Sequence, residues 1–150
     1  MLQRLRRFRR DRRADVWAFL VIVLLFVALP LASLTVDVVR GLYVRTHLQV
    51  AADAACQAAA NTLDTAVFQT TGLQQIDPGQ ARANAASVFY GTLSDASTVG
   101  FTPALSVGFP GATRAACQAT ASVAHIIPLT PPMTAAVDTT SQMRIVTGNP

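Results

Sequence analysis

The sequence predicts an α+β chain. It comprises a long N-terminal helix with a transmembrane half and an exported amphipathic half, a second short helix, and a small C-terminal antiparallel sheet of about three strands packed on the long helix. Three observations carry this expectation. Val16 to Val36 runs twenty-one residues without a charge. From Asp37 to Thr71 apolar residues, mostly alanine, recur at spacings of three and four, with no proline and only Gly41 as a glycine. After Ser94 the texture changes to alternating Thr, Val, Ser and Phe, punctuated by Gly and Pro.

The apolar run comes first. A helix of that length covers about 31 Å, close to the hydrocarbon thickness of a bilayer. Trp17 lies at one edge, where an indole prefers the headgroup level, and Asp37 and Arg40 close the far side. Arg4, Arg6, Arg7, Arg9, Arg10, Arg12 and Arg13 precede the run, with only Asp11 opposing them, whereas from Ala14 onward seven aspartates outnumber five arginines. The high pI therefore belongs to the first thirteen residues. Arginine beside a span holds that end in the cytoplasm, so the expected topology is single-pass, N-terminus cytoplasmic and C-terminal domain extracytoplasmic. A nucleic-acid arm is the competing reading of the basic run, but a membrane segment follows it directly, and no nucleic acid is expected as a partner. A cleaved secretory signal would place its apolar core at 16–29 and its site near Ala32-Ser33. No Ala-x-Ala pattern is present, and the apolar run continues past that point. A twin-arginine signal lacks its polar and Phe-Leu context. Pro30, inside the span, removes a backbone donor and predicts a kink or loosened turn near 26–30.

Nothing stops the helix at Asp37, and one helix over roughly 14–70 is expected. Leu48, Ala52, Ala55, Ala59, Leu63 and Val67 form its apolar stripe, with Arg45, Gln49, Asp53, Gln57, Asn61 and Asp64 largely off it. Gly72 is a stop signal. Asp77-Pro78-Gly79-Gln80 reads as a helix start with Asp as N-cap and Pro at the first position, and the helix should run to about Leu93, burying Ala81, Ala85, Val88 and Phe89. Strands are expected near 98–109, 115–127 and 135–146, with turns at Pro110-Gly111 and Thr130-Pro131-Pro132. Three such strands need a covering helix to bury one face.

Chemistry is sparse. His47 and His125 are the only histidines, and no metal-binding spacing, phosphate-cradling loop or nucleophile context surrounds any candidate, so no enzyme, cofactor, metal or small-molecule substrate is expected. Cys56 and Cys117 are the only cysteines. Export would place both in an oxidising compartment, and packing of sheet on helix would bring them together. A bond closing about sixty residues would stabilise by roughly 4 kcal/mol on the chain-entropy estimate. The alternative is a pair of buried thiols acting as small hydrophobes.

The block Asp37-Val38-Val39-Arg40-Gly41-Leu42-Tyr43, followed by Arg45-Thr46-His47-Leu48-Gln49-Val50-Ala51-Ala52-Asp53-Ala54-Ala55, resembles the signature of TadE/TadG-like proteins. These are the minor pilins or pseudopilins of the tight-adherence, Flp-type pilus assembly system, a type IV pilus-like machinery. The matching positions are Asp37, Arg40, Gly41, Tyr43, Arg45, Leu48, Gln49, Ala51, Ala52, Asp53, Ala54 and Ala55. The stretch from Met133 to Asp138 and on to Gln142-Met143-Arg144 resembles the family's closing strands. The resemblance implies a structural, cell-adhesion role anchored in the cell membrane or displayed extracellularly on a pilus. The partners it implies are membrane lipid, other pilin subunits or pilus assembly platform proteins, and a prepilin peptidase. The chain departs from the pattern in two places. Asp15-Val16-Trp17 stands where a Gly-Gln or Gly-x-x-x-x-Glu start is usual, and Val39-Arg40-Gly41 carries one residue more than the Asp-x-Gly-Arg element. A permanently anchored extracytoplasmic scaffold is the alternative role, and a freely secreted domain is the third.

Overall fold

A computed structural model describes residues 12–123 and 133–144. The order is α1 (Arg12–Val23), a π-helical segment (Leu24–Ala28), α2 (Leu29–Ala60), α3 (Thr65–Thr71), α4 (Pro78–Thr92) and α5 (Ala96–Val99), followed by β1 (Phe101–Gly111), β2 (Arg114–Val123) and β3 (Met133–Gln142). This is the α+β arrangement expected, with a long N-terminal helical run, short helices and a three-stranded antiparallel sheet. The chain divides between Val39 and Arg40 into two compact units.

The first unit is helical, and its residues from Val16 to Leu31 are all exposed. The loosened turn expected near Pro30 is present as the π-helical segment, directly before the helix that Pro30 enters as its second residue. Proline cannot donate to the carbonyl four residues earlier, here Phe26, and its ring crowds that carbonyl. A wider turn relieves both problems.

The second unit holds the core. From α2 it takes Val44, Leu48, Ala51, Ala52, Ala55, Cys56, Ala59 and Ala60, a stripe wider than the sequence spacing alone suggests. Alanine forms helix readily and lets neighbouring backbones approach closely. The expected single helix to residue 70 is corrected here, because α2 ends at Ala60. Residues 62–64 turn extended and pair with 75–77: Leu63 bridges Ile76, Asp64 N donates to Gln75 O at 2.8 Å, and Asp77 N donates to Thr62 O at 3.1 Å. Burial of Ile76 and the Asp64 cap of α3 outweigh helix propensity over these three residues. The Asp64 carboxylate accepts from Ala66 N and Val67 N, and Gly72, at φ 72°, ends α3. Leu63 and Val67 are therefore half-buried on separate elements and do not extend the α2 stripe.

α4 starts as expected, with Asp77 accepting from Gly79 N and Gln80 N and Pro78 in the first turn, and it ends at Thr92 with Leu93 as its C-cap. Ala81, Ala85 and Phe89 are buried. Val88 is exposed, contrary to expectation, because the buried face of α4 is a narrow stripe repeating every four residues and position 88 falls beside it. The first strand was expected from Thr98. Instead 96–99 form α5, closed by Gly100 in the left-handed region, and β1 begins at Phe101.

The sheet is a meander in the order β1-β2-β3. Its core face carries Phe101, Leu105 and Val107 on β1, Ala115, Cys117, Ala119, Ala121 and Val123 on β2, and Ala135 and Val137 on β3. The expected turn at Pro110-Gly111 falls two residues later, at Ala112-Thr113, after an irregularity between Gly108 and Gly111. Pro110 is tolerated because β1 is an edge strand. The turn is pinned where it stands, as Ile76 N donates to Ala112 O and Met143 N to Thr113 O, both at 2.8 Å. The third strand, expected over 135–146, ends at Gln142, since Met143 turns back to bond Thr113 O and Arg144 is not strand. The expected turn at Thr130-Pro131-Pro132, the end of the second strand beyond Val123, positions 145–146 and His125 lie outside the described residues.

Candidate functional site

Two features stand out: the exposed apolar helix of the first unit and the signature block of the second. Among the described residues one helical run, Asp15–Ala60, is long and apolar enough to cross a membrane. Within it the Thr35 and Thr46 hydroxyls donate back to the carbonyls four residues earlier, Thr35 Oγ1 to Leu31 O at 2.9 Å and Thr46 Oγ1 to Leu42 O at 3.0 Å. That pattern suits a solvent with no hydrogen-bonding capacity. Trp17 is exposed near the start of the run. Arg4, Arg6, Arg7, Arg9 and Arg10 lie outside the described residues, and Arg12 and Arg13 open α1.

The signature positions fall into three groups. Leu48, Ala51, Ala52 and Ala55 are wholly buried and form the helix side of the core, with Ala54 half-buried beside them. Tyr43, Arg45, Gln49 and Asp53 are exposed. Gln49 Nε2 donates to Asp53 Oδ1 one turn on at 3.0 Å, and the Tyr43 ring lies 4.1 Å from the half-buried His47 ring at a tilt of 37°. Asp37 is half-buried in the first unit.

Arg40 and Gly41 form the third group, and sequence reasoning did not see what they do. The Arg40 guanidinium donates from Nη2 to Val99 O and, at 3.0 Å, to Gly100 O. Those are the carbonyls left open at the end of α5, where a cation is favoured. Gly100 is held there for two reasons: its φ is 79°, and a side chain on it would run into Arg40 Nη2. Beside Arg40, a Cβ on Gly41 would come within 3.0 Å of Met133 Cε, so the glycine admits the first side chain of β3 against α2. Arg40-Gly41 thus clasps α2 to the start of β1 and the start of β3. The signal available in the sequence was Gly100 between two apolar residues, which punctuates a helix end.

Cys56 and Cys117 are both buried and stand as thiols. Burial first, then the hydrogen bond and charge of Cys56, push the Cys117 thiol well above its ordinary range. Among the described residues no group of three or more His, Cys, Asp or Glu side chains is placed to hold a metal ion, and no buried side-chain polar atom lacks a partner. An open depression lined by Tyr90, Leu93, Ser97, Phe101 and Pro103 among others has a volume near 570 Å³ and gathers no titratable cluster.

No curated protein and no solved structure matches the chain. A family model does: that of the putative Flp pilus-assembly TadE/G-like proteins, over residues 16–62, about a third of the sequence. The matched range takes in the exposed apolar run, the Arg40-Gly41 clasp and the alanine face of α2. Over that stretch the chain is similar to the TadE/G-like Flp pilus-assembly proteins.

Proposed function

We propose that the chain is a minor pilin or pseudopilin of a Tad/Flp-type pilus, a structural subunit and not an enzyme, held in the cell membrane by one N-terminal helix. In this reading 1–15 remain in the cytoplasm, 16–36 span the bilayer and 37–150 are the extracytoplasmic domain. The observation that carries it is the coincidence of the family match with an apolar helix that buries nothing within its own unit. Such a surface is stable only against lipid or other helices. Assembly would exchange lipid for the helices of neighbouring pilin subunits or of a platform protein, and the small-residue core of the second unit would stay intact.

A second reading, a permanently anchored scaffold outside filaments, draws on the missing Gly and Glu before the span, where Asp15 is the only acidic group of the first helical turn. Deletion of the gene in a piliated cell separates function from dispensability. Loss of surface filaments, restored by the wild-type chain in trans, is expected; normal pili without the protein would overturn the assembly role.

A further inference from the structure

The two cysteines face each other across the core. Cys56 lies on α2 with none of its surface exposed, and Cys117 on the central strand β2 is 2% exposed. The Cys56 sulfur reaches Ala115 O at 3.5 Å and Thr139 O at 3.6 Å. Ala115 precedes Cys117 by two residues on the same face of β2, and Thr139 is the cross-strand partner of Cys117 on β3. These contacts place the Cys56 sulfur over the β2–β3 ladder at the level of Cys117. Among the described residues no other core side chain carries a thiol, and the proposed assembly role uses neither of these two.

We propose that Cys56 and Cys117 are a bonding pair, closing an intramolecular disulfide that staples α2 to the central strand when a disulfide oxidant is supplied. One thiolate attacks the oxidant's sulfur–sulfur bond, forming a mixed disulfide and expelling one reduced thiol. The second protein thiolate then displaces the remaining oxidant sulfur. The sulfur–sulfur bond forms at the cost of the oxidant's own, two electrons pass to the oxidant, and the two thiol protons end on the two released thiols. Attack requires a thiolate with access, whereas the folded core holds Cys117 buried and neutral. The bond therefore forms while the sheet is still docking, and once formed it resists reduction in the folded protein. The inference does not depend on the pilus reading, because the pair is defined by the core of the second unit.

The test uses the full chain in detergent, reduced and unfolded, then refolded across a series of oxidised-to-reduced glutathione ratios. Samples are quenched in acid, alkylated with N-ethylmaleimide in denaturant and weighed intact. The expected product is a monomer without maleimide adducts, lighter than the reduced chain by two hydrogens. It should melt several degrees above the reduced form, and that difference should vanish in the Cys56→Ala/Cys117→Ala double variant. Two adducts, or a glutathione on each cysteine, at every ratio would overturn the proposal. Chain held at a denaturant concentration near its unfolding midpoint in the same buffers, where the core opens reversibly, gives the same two outcomes, so a failure to refold does not obscure the answer.

Discussion

Gly100 and Arg40 show how a few contacts fix the joint between helix and sheet. An alanine at Gly100 would adopt a left-handed backbone and push on the guanidinium, so Gly100→Ala should cost about 1–2 kcal/mol. Arg40→Ala removes donors from carbonyls that water can partly reach, and about 1–2 kcal/mol is again expected. Because both act on one contact, the double variant should cost clearly less than the sum, which denaturant titration of the three variants would show. The buried thiol gives a second prediction. With its folded value raised above the ordinary 9.0, Cys117 contributes stability that is complete below pH 9 and declines as pH rises beyond it, since the unfolded chain releases the proton first. The reduced protein should therefore lose stability above pH 9 more steeply than a Cys117→Ala variant does, and matching slopes would refute the assignment. The signature block was visible in the sequence as a pattern. The partner of Arg40 was not, because Val99 and Gly100 lie some sixty residues away and the contact is to backbone, which no side-chain pattern encodes.

At the level of elements, local chemistry predicted well where it was self-contained. The Asp77-Pro78 start and the alternation of the three strands depend on neighbours within a few residues and appear as expected, while Gly72 stops a helix, though α3 and not the long one. Where long-range contacts compete, propensity lost. Alanine-rich α2 stops at Ala60 because residues 62–64 pair with 75–77, and the β hairpin turns at Ala112-Thr113 because Ile76 and Met143 take up the two turn carbonyls. The short α5 escaped notice because a single helical turn leaves no periodicity to read. The caps are open to direct test. Asp77→Ala removes the carboxylate that accepts from Gly79 N and Gln80 N, and a loss of about 1 kcal/mol is expected, with α4 fraying from its start in amide hydrogen exchange. Unchanged protection across Gly79 to Ala83 would mean that packing of Phe89 alone holds the helix.

For the whole molecule, the division between Val39 and Arg40 separates a helix with no buried surface up to Leu31 from a unit with a complete small-residue core. The first unit asks for lipid or other helices, and the second folds around itself. The arginine asymmetry across the span sets the orientation in this account. Replacing Arg4, Arg6, Arg7, Arg9, Arg10, Arg12 and Arg13 by Gln while adding arginines after Asp37 should invert a fraction of the molecules. Protease accessibility of the second unit in right-side-out vesicles reads that fraction, and full accessibility in the inverted-charge variant would show that charge does not decide the topology. The central claim, that the chain enters a Flp-type pilus, is tested most directly by the mature N-terminus and intact mass of the protein taken from membranes and from sheared surface material of the same cells. The account predicts the protein in the sheared fraction, with a new terminus between Arg10 and Asp15. A chain confined to membranes and starting at Met1 or Leu2 would contradict it and leave the permanent scaffold in its place.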